Sequence, residues 1–338
     1  MAVNFDEHLD EHYDQVVRAM MGGYLVPFLG AGANMCDRPR SGEWKPKESV
    51  FLPSSGELSS FLASEFSFHG KNREDLIRVS QYASIMSGRK PLDMELHGVF
   101  VPKTVSYLPN RVHKFLAELP SLLKQLGCED PYQLIVTTNY DTLTEEAFKA
   151  AGEKYHLVTY NARGRLSQKK FQHFLPDSNK PISIDKPNEY RDLPIDQARN
   201  SPRINQTIIL KVHGTVRNSL DESSFVITED DYIEYLSLIS PNISKLLPTT
   251  LVNKLLNSSK LFLGYSLKDW NMRAILHQIW KEQMIRGDFA SWAIQLNAEK
   301  IDKKSWDKRS VEILNVSLEK YVEGLKSRLL LANRGGGN

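Results

Sequence analysis

The chain has only two cysteines, Cys36 and Cys128, in 338 residues. Two thiols cannot build a disulfide framework or a four-thiolate zinc site. Long apolar runs are missing as well, so no segment of about 18 residues reads as a membrane-spanning helix. The opening "MAVNFDEHLDEH" is acidic and polar where a signal peptide would be basic and then apolar, and the simplest location is the cytoplasm. Neither sign of charge dominates. Lys and Arg number 43 against 41 Asp and Glu, a net charge of +2, so the chain makes no electrostatic demand for nucleic acid. Two motifs are also absent. Without a GxxxxGK string followed by Ser or Thr, an ATPase of that class is unsupported, and without GxSxG there is no nucleophile elbow.

What is present is the composition of a globular protein, 41% hydrophobic and 25% charged. Short runs rich in Val, Ile, Leu and Phe recur at 24–30, 133–138, 156–160, 207–212, 261–265 and 291–296. They are almost continuously apolar, as strands covered on both faces must be. Amphipathic helical stretches lie between them, as at 110–127 and 269–284. Strand alternating with helix predicts a Rossmann-like α/β fold, a mostly parallel, doubly wound sheet with right-handed crossovers. A helical module is expected over 56–126, and Leu318, Tyr321, Val322, Leu325 and Leu329 share one face of a C-terminal helix. Residues 34–55 and 161–204 break the rhythm. The second carries nine Lys or Arg against five Asp or Glu and few apolar residues, and both read as long polar loops or insertions.

In such a sheet ligands bind beyond the carboxyl ends of the strands. The first run ends in "GAGA", Gly30, Ala31, Gly32 and Ala33, a turn that lets backbone approach a pyrophosphate but that also suits a plain tight turn. The second ends in Thr138, Asn139, Tyr140 and Asp141, where Asp141 with Glu145 resembles a helix-capping arrangement. After the fourth come His213 and Gly214, after the fifth Gly264, Ser266 and Asp269, and after the sixth Asn297. Each has an ordinary structural explanation. Together they place glycine turns, an Asn/Asp pair and a His on one edge of one sheet, which points to a shared pocket. The string "HLDEH", His8 to His12, has zinc-helix spacing but no third ligand, and it reads as a solvated charged helix with no metal.

In this order, "GAG" (30–32), "TTNYD" (137–141), "HG" (213–214) and "LGYS" (263–266) resemble the sirtuin-like fold. More closely, with "VHKFLAELP", "NYDTLTEEAF" and "LFLGYSLKDWNMRAIL", they resemble the bacterial sirtuin-like NAD hydrolases of anti-phage defence. The resemblance implies a catalytic NAD-binding domain over 24–315, preceded by an N-terminal helix (1–23) and followed by a C-terminal helix and tail (316–338). It implies that Gly30, Ala31, Gly32 and Ala33 line the phosphates and the ribose. Asn139, with Thr138 beside it, would position water and the ribose. Asp141 would bind the nicotinamide carboxamide and His213 would be the general base. Gly264, Ser266 and Asn297 would contact the rest of the dinucleotide. NAD⁺ would then be substrate, cleaved to nicotinamide and ADP-ribose, with cellular NAD⁺ depleted on infection. Control by a homo-oligomer or a companion protein is implied too, the companions of relatives being Argonaute-like proteins, ATPases or nucleotide sensors. A pure NAD⁺ or ADP-ribose sensor is the alternative from another class. Protein deacylation is disfavoured because 142–262 holds no cysteine for the zinc module of deacylating sirtuins. The pattern is departed from at Asn34, where many relatives have Ser.

Overall fold

A computed structural model describes residues 5–39, 42–165, 168–196, 203–239, 246–265, 276, 279, 289–307 and 310–335. In chain order its elements begin with α1 (Phe5–Met21), β1 (Leu25–Leu29), a short 3₁₀ turn (Ala31–Met35) and the helices α2 (Ser55–Glu65), α3 (Leu76–Ser87), α4 (Arg89–Phe100) and α5 (Arg111–Gln125). Then follow β2 (Leu134–Thr137), α6 (Leu143–Ala150), β3 (Tyr155–Asn161), β4 (Lys170–Phe174), β5 (Pro181–Ser183), β6 (Ile195–Asp196), β7 (Arg203–Ile204) and β8 (Thr207–Lys211). The hairpin β9 (Gly214–Thr215) and β10 (Ser224–Phe225) leads to α7 (Glu229–Ile239), α8 (Thr249–Leu256) and β11 (Ser259–Leu263). The chain ends with β12 (Ser291–Ile294), α9 (Lys300–Asp307), β13 (Val311–Leu314) and α10 (Leu318–Gly335).

Nine strands form one sheet in the order β13-β12-β11-β1-β2-β8-β3-β4-β5, parallel from β13 to β3 and antiparallel at β4 and β5. The apolar runs become its fully buried central strands, since helices cover both faces. One core packs on each face, around Phe28, Val136, Leu210 and Phe262 on one side and Leu29, Ile135, Ile209 and Leu261 on the other. The order turns around at β1. The chain leaves β1 toward β2 on one side and later returns to β11 on the other, which opens a crevice beyond the strand ends there. Central β1 tolerates Pro27 because its pairing with β2 begins only at Phe28. In α5, Pro120 cannot bond back to the Leu116 carbonyl, and the buried Gln133 Nε2 donates to that oxygen instead at 2.9 Å. The face of α10 forms as its spacing predicts, with Tyr321, Val322, Leu325 and Leu329 buried.

Three features go beyond what the sequence pattern shows. Residues 161–204 include the strands β4 to β7, two of which extend the sheet, so the segment is not simply loop. Its strands hide because buried positions are filled by polar groups: His173 on β4 bonds His156 on β3 (2.7 Å) and the Tyr190 hydroxyl (2.7 Å). The helix bearing "HLDEH" is not simply solvated, for His12 is buried and its Nε2 bonds the Tyr321 hydroxyl at 2.8 Å. Finally, β13 escapes the reading of apolar runs because it is four residues long with an exposed Glu312 in the middle. Apart from the buried Leu276 and Ile279, the helix expected over 269–284 lies outside the described residues. Among the described residues no helix is long and apolar enough to cross a membrane.

Candidate active site

The register of the central strands sets the site. Leu29 of β1 lies opposite Leu263 of β11 on one side and Thr137 of β2 on the other, and Thr137 lies opposite Lys211 of β8. Gly264, Gly30, Thr138 and Val212 therefore leave four adjacent strands at one height, and Asn139 and His213 stand one residue further on neighbouring strands. Adjacent strands are about 4.8 Å apart, so the sheet delivers these groups in a compact row. Three bonds carry the ladder past the strand ends: Gly30 N–H to Leu263 O (3.2 Å), Thr138 N–H to Leu29 O (3.3 Å) and Val212 N–H to Thr137 O (3.0 Å).

The two glycine turns are in direct contact. A Cβ on Gly264 would lie 2.0 Å from the Ala33 nitrogen, and one on Gly32 would lie 2.5 Å from the Gly264 carbonyl oxygen. Gly264 also has φ +61°, which an L side chain adopts only with strain. Beside this contact is a cavity of about 300 Å³ lined by Gly32, Met35, Gly264, Tyr265, Leu296 and Glu319. Ala31 is exposed at the turn's start and Ala33 is buried beneath it. Asn297 is not brought into this cavity; it is exposed at φ +56°, and its N–H donates to Asn315 Oδ1 at 2.9 Å. Ser266 lies outside the described residues.

Asn139 is buried, and its Nδ2 donates to the Gly30 carbonyl at 3.1 Å. That bond fixes the amide's orientation and leaves Oδ1 free of bonds to the described residues, so this oxygen is available to a water or a ribose hydroxyl. His213 is buried with its ring edge-on to Tyr232 (5.3 Å) and Tyr235 (5.6 Å). Gly214 follows at φ +91°, where a Cβ would lie 2.1 Å from the Ser224 carbonyl oxygen. Glycine is needed there to turn the chain sharply into the β9–β10 hairpin.

Asp141 does help start α6, its Oδ1 accepting the Leu143 N–H at 3.0 Å. Glu145 does not reciprocate as a cap. It is buried and pairs with the Lys211 ammonium at 2.9 Å, and Lys211 also donates to the carbonyl oxygens of Asp141 and Tyr140. Asp141 Oδ2 accepts Asn34 Nδ2 at 2.8 Å. From α5, Asn110 caps the helix and its Nδ2 reaches the Ala33 carbonyl at 2.7 Å. Fully buried His113 accepts the Asn110 N–H at 3.3 Å. Burial is the chief reason its pKa falls to about 4, with Lys211 adding to the fall and Asp141 opposing it. The imidazole is therefore neutral at pH 7, held beside these two charges.

Asn34, Asn110, His113, Lys211 and Glu145 are thus part of the site's frame. The sequence signals for them are weak: a strand-end Lys two residues before "HG", and an Asn with a His three residues later opening a helix. Among the described residues, the one group of side chains spaced to hold a metal is Cys36, Asp37 and Glu319. Burial raises the Cys36 thiol to about 12 and Asp37 pairs with Arg111 at 3.2 Å, so this group is poorly suited to a cation.

The chain is similar to several known proteins. The chain is 28% identical to NAD(+) hydrolase ThsA of Enterococcus faecium over 263 residues, 77% of this chain and 41% of that protein. It is 22% identical to Defense-associated sirtuin 2 of Bacillus subtilis over 280 residues, 82% of this chain and 21% of that one. It therefore spans less than half the length of either relative. Two solved structures align along nearly their whole lengths. A Sir2 homologue in complex with NAD covers 95% of this chain and 94% of its own (14% identity, TM-score 0.37). A Sir2 homologue mutant in complex with ADP-ribose covers 94% and 98% (15% identity, TM-score 0.38). The SIR2-like domain model matches residues 133–314, from just before β2 to the end of β13, and on that match the chain belongs to the SIR2-like family.

Proposed function

We propose that the chain is an NAD⁺ glycohydrolase that cleaves the nicotinamide–ribose bond, with residues 24–315 as its catalytic unit. The observation that carries the reading is the row of strand ends. Asn139 is pinned over the glycine turn by its bond to Gly30 O, and His213 stands at the same height on the next strand but one from β1. The names of the two relatives, an NAD(+) hydrolase and a defence-associated sirtuin, support it.

The glycine contact between Gly32 and Gly264 leaves bare backbone where a dinucleotide's phosphates and ribose would rest. As the C1′–N1 bond breaks, its electron pair goes to the pyridinium nitrogen and positive charge moves to the ribose. A buried wall of carboxamide and carboxylate oxygens stabilises that charge. Asn139 Oδ1 orients the attacking water, His213 accepts its proton, and the products are nicotinamide, ADP-ribose and one proton. In defence this activity would deplete NAD⁺, with a homo-oligomer or companion protein holding it in check until infection.

The test is release of nicotinamide from NAD⁺ by the chain, with and without its genomic neighbour's product. Asn139→Ala and His213→Ala are each expected to abolish release with the circular-dichroism melt retained. Full activity in either variant, or tight NAD⁺ binding with no products in any condition, would sink the reading.

A further inference from the structure

The Asn34 side chain is bound at one end only. Its Nδ2 donates to Asp141 Oδ2 at 2.8 Å, while its Oδ1 is buried and accepts no hydrogen bond from the described residues. The orientation of this amide is not interchangeable. A flip would set Oδ1 against a carboxylate oxygen with no proton between them. The unfilled atom is therefore an acceptor, and a buried acceptor is unfavourable until a donor reaches it. Asp141 Oδ2 has spent one lone pair on Asn34 and can accept again, while Oδ1 is occupied by Leu143.

Two acceptor oxygens thus sit at either side of one N–H···O bond, Asp141 Oδ2 and Asn34 Oδ1. The ligand group complementary to such a pair is a planar NH₂ with two N–H donors and no charge. A primary carboxamide has this form. A carboxylate does not: it brings no proton for either oxygen and sets its own negative charge against Asp141.

We propose that Asn34 is a specificity-determining residue of this site, its Oδ1 accepting one N–H of the nicotinamide carboxamide while Asp141 Oδ2 accepts the other. This assignment rests on the reading of the chain as an NAD⁺-cleaving enzyme with nicotinamide at Asp141. It makes the site selective for NAD⁺ over nicotinic acid adenine dinucleotide, which differs only in carrying a carboxylate on the pyridine ring.

The experiment titrates the full chain with both dinucleotides by calorimetry and, in the activated state, measures kcat/KM for each. Wild type is expected to prefer NAD⁺ by about a hundredfold or more, since rejecting an isostere that cannot fill built hydrogen bonds is efficient. Asn34→Ala should lower that preference by about tenfold or more, mainly through weaker NAD⁺ binding. Asn34→Asp keeps an acceptor but faces Asp141 with a second carboxylate, so the pair must share a proton. Its NAD⁺ affinity should fall as pH rises and the pair loses its shared proton. A preference unchanged within twofold in Asn34→Ala, with NAD⁺ turnover intact in wild type, overturns the role of Asn34 and leaves the hydrolase reading standing. Selective NAD⁺ binding by wild type without nicotinamide release overturns the hydrolase reading, and the binding ratios then decide Asn34. If wild type binds neither dinucleotide, both fall.

Discussion

Lys211 and Glu145 are almost inaccessible, with side chains 1% and 5% exposed, and they join β8 to the start of α6. Lys211→Met removes the ammonium and leaves the Glu145 carboxylate buried with neither oxygen bonded, since Oε2 has no partner even in the intact pair. Breaking a buried pair from one side costs about 3–5 kcal/mol. The double variant Lys211→Met/Glu145→Leu removes both charges, and exchanging a buried pair for apolar side chains of similar size is close to neutral. It still leaves the Asp141 carbonyl without its donor, at about 1–3 kcal/mol, whereas the Tyr140 carbonyl keeps the Val216 N–H at 2.8 Å. That carbonyl is bare in both variants, so the double should be about 3–5 kcal/mol more stable than the single, by urea unfolding at constant m. Nicotinamide release should be lost in both, because neither replacement can hold the Asp141 turn. A single variant costing under about 1 kcal/mol, or a double no better than the single, would refute the account of the pair. A double variant with wild-type activity would refute its role in positioning the turn.

Gly264→Ala should disrupt the glycine contact and weaken NAD⁺ binding in a titration, because its Cβ would overlap the Ala33 nitrogen. Gly127→Ala is the control for backbone strain alone: φ is +71° but nothing lies within 4 Å, so the expected cost is about 1 kcal/mol with NAD⁺ affinity unchanged. Burial lowers the pKa of both His156 and His173, the latter to about 4, and the neighbouring His156 adds to the fall. The unfolded chain takes up these protons near pH 6.5, so the stability is complete above that pH and drains away below it, for His173 by about 1.4 kcal/mol per pH unit as pH falls toward 4, with His156 contributing in the same direction. Urea midpoints measured from pH 7 to 4 should show a shallower decline in His156→Leu/His173→Leu. Lys260 is fully buried, its Nζ donating to Ser258 O at 2.8 Å, and burial lowers its pKa to about 7. Here the unfolded chain binds the extra proton between pH 7 and 10.5, so wild-type stability should rise with pH across that window. Lys260→Met should abolish the rise and add on the order of 2 kcal/mol at pH 7; an unchanged slope would refute the assignment to this lysine.

The frame of the fold is legible because burial on both faces demands nearly continuous apolar strands, and 24–30, 133–138 and 207–212 are mostly apolar. The face of α10 is equally plain from its 3.6-residue spacing. The strands around His173 are not, because their inward positions are polar and are satisfied only by partners such as His156, 17 residues earlier. Lys211 is a harder case. By residue type it belongs at a solvated strand end, and it is buried only because Glu145, 66 positions away, neutralises it there. Asn139 and His213 could be picked out as strand-end residues, but their common height depends on register, which sequence patterning constrains only to face and not to partner. Asn110 opens the helical stretch at 110–127 and caps its helix. Its second bond, to Ala33 O, exists only once α5 has packed beside the glycine turn.

The bonds that hold the site share a geometric reason. A parallel ladder fixes strands to within a residue of register, but it stops at the strand ends, and the reactive groups lie just beyond them. There the ladder's work passes to side-chain bonds that cross long stretches of chain: Asn139 to Gly30 O, Asn110 to Ala33 O, Lys211 to Asp141 O and Asn34 to Asp141. Three of these accept at a backbone carbonyl, so each ties one turn's main chain to another element while leaving that turn's side chains free. A main-chain tie of this kind positions groups it does not touch. It follows that the uncharged residues making such ties, Asn139, Asn110 and Asn34, should tolerate substitution in stability better than in activity, whereas Lys211 carries a buried charge and should not. The buried core residues at the same strand ends, such as Leu29 and Leu263, should show the reverse ranking, since their truncation leaves cavities in the core.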